Sequence, residues 1–332
     1  MYFPSEEERR YLSRGLLPEA RRQGIEESLR GWNWDRPPLR PVYEAPLGVH
    51  EIADKYCASS RAVYLQRVRR TRARPTLALV EGRLLHQVVA RLITEAKRLV
   101  YVHGAACLPW LERLRLQPHP SLEDVALTEE EKARLRERMD LLRAYEARRL
   151  VERVEDALAR QPYAGPDALV AVALPVSVEV RLSGWYLGLS KHLAVDAISF
   201  AEMVVYDAKF GPREEFHRLA TTGYALVLES LYEVPVDIGC VVYGDFRNGQ
   251  VVIERDYHIV GNELRQWFLE EREERMRLVA EELDPGLPRE CPLTCPYLRE
   301  CRPAGSVAPG ALGRSLAANL AVLGEPAVPR EA

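Results

Sequence analysis

With 332 residues, 47% of them hydrophobic and 29% charged, the chain can bury a sizeable core and has the composition of an ordinary globular protein. No run of eighteen apolar residues occurs, which excludes an apolar membrane-crossing helix, and residues 1–10 lack the basic and apolar regions of a signal peptide. A cytoplasmic location without membrane contact is therefore expected, and the net charge of −3 does not by itself announce a nucleic-acid partner.

Along the chain, the first thirty residues read as one or two short helices with a glycine break. Residues 1–47 form an N-terminal arm, whose stretch 31–47 mixes Trp32, Trp34 and Tyr43 with four prolines and reads as ordered but irregular. A helical region is expected over 48–164. Two short helices lie between 48 and 70, with Cys57 near their junction. Residues 83–100 follow as an amphipathic helix through Leu84, Leu85, Val88, Val89, Leu92 and Ile93. A longer helix is predicted over 128–160, opened by the capping-box pair Thr128 and Glu131. The stretch from Arg67 to Arg74 packs five arginines into eight residues, and a second basic stretch runs over 134–160. Either block alone reads as a solvated charged face.

The character changes at Gly165. Residues 168–180 are rich in β-formers, and further strands are predicted over 185–189, 193–200, 203–210, 236–243 and 251–257. Helices are expected over 214–232 and 262–283. The order describes an α/β core over 165–283, a cysteine loop over 284–303, and a tail over 304–332 expected to be partly disordered.

Two consecutive strands end on chemistry. Asp196 closes the first, and Asp207-Ala208-Lys209 closes the second. Residues two apart on a strand share a face, so Asp207 and Lys209 point the same way, and a hairpin would bring Asp196 beside them. Two converging carboxylates resist joint ionisation unless a cation joins them, and Mg²⁺ or Mn²⁺ prefers such hard oxygen ligands. A neighbouring lysine then positions or deprotonates water, which is a kit for metal-assisted phosphodiester hydrolysis. Glu179, on the preceding strand, reads either as a further acid or as an exposed edge carboxylate.

Three cysteines, Cys291, Cys295 and Cys301, fall within eleven residues and look like a metal site short of one thiolate. Structural zinc and iron–sulfur clusters both want four ligands. The fourth would come from Cys57, Cys107 or Cys240, of which Cys240 lies in an apolar strand run that burial explains.

The acidic hairpin, its Asp-x-Lys and the following helix resemble the PD-(D/E)xK nuclease core of the RecB type. Gly82-Arg-Leu-Leu-His86 matches that group's Gly-x-x-x-His helix, and Tyr224 matches the tyrosine of its Gln-x-x-x-Tyr helix. One cysteine before the core and three after it make the chain similar to the CRISPR-associated iron–sulfur exonucleases of the Cas-four type, and the long N-terminal half to their archaeal subtype I-A Csa-one branch. The resemblance covers about residues 48–301. It implies a 4Fe-4S cluster on Cys57, Cys291, Cys295 and Cys301, with 2Fe-2S or zinc as alternatives. It implies Mg²⁺ or Mn²⁺ on His86, Asp196, Asp207 and the Ala208 carbonyl, with Lys209 handling the water and Tyr224 contacting or positioning DNA. Under that reading Arg67, Arg69 and Arg70 become a strand-tracking patch. The implied substrate is single-stranded DNA and the implied partners are the integrase proteins that add CRISPR spacers.

Three departures stand out. The first two late cysteines are spaced Cys-x-x-x-Cys, Leu193 stands where a glycine is usual, and Ala220 replaces the glutamine. A catalytically weak iron–sulfur scaffold subunit and a stand-alone RecB-like repair nuclease are the alternative functions. No Gly-x-x-x-x-Gly-Lys-Ser/Thr motif occurs, so no ATP requirement is expected.

Overall fold

The computed structural model describes residues 1–302 apart from 119, 124, 126, 290 and 293. The expectation for the 304–332 tail falls outside the described residues. The chain opens with α1 (Glu6–Tyr11), a π-helical turn at Leu12–Leu16, and α2 (Leu17–Gln23), which stops at Gly24 with φ of 69°. Two short helices, α3 (Val49–Ala53) and α4 (Arg61–Arg67), bracket Cys57. Then come α5 (Leu77–His103), α6 (Leu108–Leu111) and α7 (Glu129–Arg160). The amphipathic helix predicted over 83–100 extends further because Thr76 caps it, accepting from the Leu79 amide at 3.4 Å. The Thr128–Glu131 capping box opens α7 as expected.

Residues 168–173 are not strand. They belong to α8 (Pro166–Ala173), whose Pro166 suits a first helical position and whose Leu169, Val170 and Ala173 are buried at helical spacing. The first strand is β1 (Val176–Leu182), and the strand expected over 185–189 is a 3₁₀ turn at Trp185–Leu187 ended by Gly188 with φ of 68°. Strands β2 (Leu193–Ser199) and β3 (Val204–Lys209) form the expected hairpin. After α9 (Arg218–Tyr232) come β4 (Ile238–Arg247) and β5 (Gln250–Ile259), joined across Asn248-Gly249, both at positive φ as a tight hairpin requires. Then follow α10 (Asn262–Ala280) and α11 (Leu298–Cys301).

The five strands form one mixed sheet in sequence order. Every neighbouring pair is antiparallel except β3 and β4, which run parallel through the α9 crossover. One sheet face buries Ala197, Val204, Tyr206, Ala208, Cys240 and Val242 against α5, α7 and α8. The other buries Val195, Ile198 and Val205 with α9, α10 and the arm. Each fully buried aliphatic side chain there contributes roughly 1.5–3 kcal/mol.

Charge is also buried. Arg265, Arg272 and Arg275 of α10 are each at most 1% exposed, an unusual fate that demands partners. Arg265 meets Glu229 and the Leu29 and Val236 carbonyls; Arg272 meets the Leu39, Pro38 and Leu187 carbonyls; Arg275 meets the Asp54 carbonyl and Ser60 Oγ. These three side chains tie the irregular arm and the Cys57 loop to the core.

Candidate active site

The register of the hairpin, with Ala197 opposite Tyr206 and Ile198 opposite Val205, carries Asp196 alongside Asp207. The Ala208 N–H donates to Asp196 Oδ2 at 2.8 Å. From the facing helix α5, His86 Nδ1 lies 3.2 Å from the same oxygen, its ring edge-on to Phe210 at 5.6 Å. Lys209 Nζ lies 2.7 Å from Asp207 Oδ2, and Asp207 is only 7% exposed. His86, Asp196, Asp207, Ala208 and Lys209 are thus brought together.

Their ionisation reflects the shared site. Burial opposes charge on Asp196, but His86, Lys209 and the Ala208 N–H outweigh it and hold the carboxyl below its ordinary value. Asp207 goes the other way, raised by burial and by the Asp196 charge despite Lys209. Burial also opposes charge on His86, yet Asp196 raises it. Burial disfavours the Lys209 ammonium, but Asp207 and Asp196 push it up to about 12. The two carboxylates thus favour the ammonium form of Lys209.

The pair of carboxylates fits a hard divalent cation. Asp207 Oδ2 is held by the Lys209 ammonium at 2.7 Å, and its carboxylate lies beside that of Asp196, a hard oxygen donor pair of the kind such a cation takes. Glu179, at φ of 49° in the middle of β1, feels the same centre: burial and Asp196 raise its carboxyl. Its side chain is exposed on the edge strand of the sheet, as the edge-carboxylate reading expected.

Other sequence candidates are placed differently. Tyr224 is buried at 8% exposure and its hydroxyl donates to the Ala194 carbonyl at 2.7 Å, so its polar end braces β2 two residues before Asp196. Arg67 forks onto the buried Glu51, through Nε to Oε1 at 2.6 Å and Nη2 to Oε2. That commits its guanidinium to internal structure. Arg69 and Arg70 are exposed.

The cysteines sort into two groups. Cys107 and Cys240 are fully buried in the helix-facing core. Cys57, Cys291, Cys295 and Cys301 are near enough for their charges to interact: burial raises Cys291 and Cys295, and the neighbouring thiols raise them further. Among the described residues no three or more His, Cys, Asp or Glu side chains are closed into a metal cage. Guanidinium groups lie near three of the four thiols: Arg302 near Cys291, Arg61 near Cys301, and the buried Arg275 near Cys57. Four cysteine sulfurs in one neighbourhood are a donor set that suits zinc or an iron–sulfur cluster.

Three side chains beside Lys209 escaped the sequence analysis: Tyr56, His217 and Tyr243. Tyr243 is in register with Lys209 across the parallel β3–β4 pair, and both lie within one residue of the end of their strand's buried run. That shared position was the one available signal.

The family described as CRISPR-associated exonuclease Csa1 matches residues 1–304. The chain belongs to the Csa1 family. A Thermoproteus tenax protein named CRISPR-associated exonuclease Csa1 is 33% identical over 278 residues, covering 84% of this chain and 92% of that relative. A Saccharolobus solfataricus protein of the same name is 30% identical over 284 residues, covering 85% and 94%. No solved structure matches the chain. The Csa1 match begins at residue 1, so it takes in the arm that the resemblance from residue 48 onward left aside. Among the described residues no helix is long and apolar enough to cross a membrane.

Proposed function

We propose that this Csa1-family chain is a divalent-metal-dependent DNA exonuclease with a PD-(D/E)xK core of the RecB type, acting on single-stranded ends to prepare DNA for CRISPR spacer acquisition. The observation that carries the reading is the convergence of His86, Asp196, Asp207 and Lys209 on neighbouring strands and the facing helix. The names of both relatives support the nuclease class and the CRISPR connection.

In this reading Asp196, Asp207, His86 and the Ala208 carbonyl hold Mg²⁺ or Mn²⁺, which when bound supplies Lewis acidity at a phosphate and makes water more acidic. The protein's own groups do the rest. Lys209, kept cationic, orients a water and stabilises negative charge developing on the phosphate. Asp196 is held by the Ala208 N–H and His86, so its carboxylate does not have to reorganise as charge builds. Exposed Arg69 and Arg70 offer cationic contacts for a strand approaching the site. Cys57, Cys291, Cys295 and Cys301 hold an iron–sulfur cluster that clasps the cysteine loop to the helical half in a structural role. The integrase proteins of the adaptation machinery are the expected partners.

The test is degradation of end-labelled single-stranded DNA with Mn²⁺ by wild type, Asp207→Ala and Lys209→Ala. Loss of a charged group that acts in the transition state predicts rates down by roughly 10²–10⁴. Equal degradation by wild type and Asp207→Ala would remove the assigned site. Iron content and visible absorption of anaerobically purified protein decide the cluster: a colourless protein with stoichiometric zinc refutes iron–sulfur and leaves the nuclease reading standing.

A further inference from the structure

Three aromatic rings stand in water at the end of the sheet where the acidic site lies. Trp34 of the arm, with Trp185 and Tyr186 of the 3₁₀ turn, are 37, 57 and 43% exposed. The Trp34 and Tyr186 rings stack at 4.5 Å between centroids and 23° between planes. Beside them Lys191 Nζ sits 4.0 Å from the Trp185 ring centroid. The turn belongs to the connection from β1 to β2. Because β2 and β3 are antiparallel, the start of β2 lies beside the end of β3, the end that carries Asp207 and Lys209. Lys191 precedes Asp196 by five residues, a reach of at most roughly 17 Å at about 3.4 Å per residue.

The backbone under these rings is fixed by other contacts. Buried Arg272 donates to the Pro38 and Leu39 carbonyls of the arm and to the Leu187 carbonyl of the turn. The Ser190 amide donates to the Leu47 carbonyl at 2.9 Å, and a Cβ on Gly188 would stand 2.6 Å from Pro41. Hydrogen bonds and close packing therefore seat the arm on the turn. Trp185 is the most exposed of the three rings, and among the described residues its one ring contact is the Lys191 ammonium. The charge beside the rings is positive. Among the described residues no carboxylate pairs with Lys191, and Arg36 has only Asp35, at 3.8 Å. The Arg40 amide donates to the Arg36 carbonyl at 2.8 Å, so these two exposed arginines follow one turn of the arm.

Flat rings with open faces among cations suit one class of ligand. Every nucleobase has a π-face, and a single strand couples such faces to a phosphate backbone that draws cations. In a duplex the bases keep their faces stacked on one another. We propose that Trp34, Trp185 and Tyr186, with Lys191, Arg36 and Arg40, form a stacking platform for unpaired bases. It holds the body of a single strand whose end lies in the acidic site. The proposal rests on the nuclease reading. At about 3.4 Å per stacked nucleotide, the platform lies about five nucleotides back from the reacting end. Unlike Arg69 and Arg70, it offers ring faces as well as charge.

Trp185→Ala in the full chain, as purified, removes an exposed ring and leaves the Trp34–Tyr186 pair, whereas Trp185→Phe keeps a ring. The first readout is fluorescence anisotropy of a labelled oligothymidylate of about 16 nucleotides, the upper site size of single-strand grooves, without added divalent cation so that nothing is cut. Trp185→Ala should weaken binding roughly five- to 150-fold and Trp185→Phe much less, with no change for a blunt duplex of the same length. Lys191→Gln should weaken it as well and lower the slope of log affinity against log salt by about 0.7. Unchanged single-strand affinity in Trp185→Ala overturns the proposal, and so does an equal loss on duplex and single strand. The second readout is cleavage with Mn²⁺. Trp185→Ala should raise KM for the longer strand at unchanged kcat, while a strand of about 4 nucleotides, too short to reach the platform from the site, is cut equally well by both proteins. The same rise in KM for both lengths overturns the proposal. Wild type that cuts nothing would sink the nuclease reading, and the anisotropy comparison would still decide whether the platform binds single strands.

Discussion

Glu229→Gln tests the buried network that joins the arm to the sheet. Glu229 is fully buried, and its two oxygens accept from Arg265 Nη1 and Nη2 at 2.7 and 2.8 Å, Arg30 Nη1 at 2.8 Å, and the amides of Gly31 and Val236 at 2.8 and 3.1 Å. Gln keeps the shape and one acceptor oxygen, but turns an amine toward donors and removes the charge that balances Arg265. Arg265 is itself fully buried, and its next carboxylate, Asp237, is 3.9 Å away. Breaking a buried pair from one side costs about 3–5 kcal/mol, because the remaining ion is left uncompensated. That is a large part of the roughly 5–15 kcal/mol by which folded proteins exceed their unfolded states. The loop cannot relax away easily. A Cβ on Gly31 would stand 2.2 Å from the Leu226 carbonyl, so the arm is pressed onto α9. The measurement is urea unfolding at pH 7, followed by tryptophan fluorescence, with the midpoint shift multiplied by the slope. A second variant, Glu229→Leu with Arg265→Met, should not recover the loss, since it also strands Arg30 and the Gly31 and Val236 amides that Glu229 accepts from. A change below about 1 kcal/mol for Glu229→Gln, within the range of ordinary surface substitutions, would refute the claim that the ion pair is structurally closed.

Acid should destabilise the protein through His258, which is 5% exposed and hydrogen-bonded to Thr221 Oγ1 at 2.9 Å and the Asp256 carbonyl at 3.0 Å. Burial, with Arg218 adding, lowers it to about 4, so the folded chain keeps it neutral while the unfolded chain takes up a proton below about 6.5. Stability is whole above that pH, falls as pH drops from about 6.5 toward 4, and then levels, a loss on the order of 3 kcal/mol; urea unfolding across that range should flatten in His258→Gln, and an identical slope would refute it. Cys57→Ser should abolish stoichiometric metal in the purified protein while Cys107→Ser leaves it intact, measured by elemental analysis; equal metal content in both would detach Cys57 from the site. Thr128→Ala should cost about 1 kcal/mol by removing the cap on α7, read from the same urea midpoints.

The helices and the acidic hairpin were legible because their signals are local. A capping pair, a helical apolar stripe in α5 and two apolar runs carrying Asp196 and Asp207-Ala208-Lys209 each lie within one segment, although Asp196 lies inside β2 rather than closing it. Residues 168–173 were misread because a short run such as Ala-Leu-Val-Ala-Val-Ala satisfies strand and helix periods alike, and only its packing on α5 and α7 decides. The arginines of α10 look like any solvated charged helix until carbonyls more than 200 residues away in sequence come to meet them. Tyr56 and His217 are 161 residues apart and carry no shared motif. Interactions whose partners are set by topology leave no periodic trace.

The mixed order of the sheet explains why the site lies where it does. Strand β3 has an antiparallel neighbour, β2, on one side and a parallel neighbour, β4, on the other. The antiparallel pairing brings Asp196 to Asp207 from the hairpin side, whereas the parallel pairing brings Tyr243 to Lys209 from the crossover side. A slip of one residue in either register would turn those side chains to the opposite face and separate them. The α9 crossover that makes β4 parallel also carries Glu229, which receives Arg265 from α10, and α10 in turn holds the Asp54–Ser60 loop through Arg275. That loop contains Tyr56 and Cys57. One set of contacts therefore runs from the topology of the sheet to the loop that holds Cys57, and from Tyr56 through His217 to Tyr243, the β4 residue in register with Lys209. In the proposed reading the cluster loop and the acidic site share this scaffold, so displacing the Cys57 loop should be felt at Tyr243, the neighbour of Lys209 across the sheet.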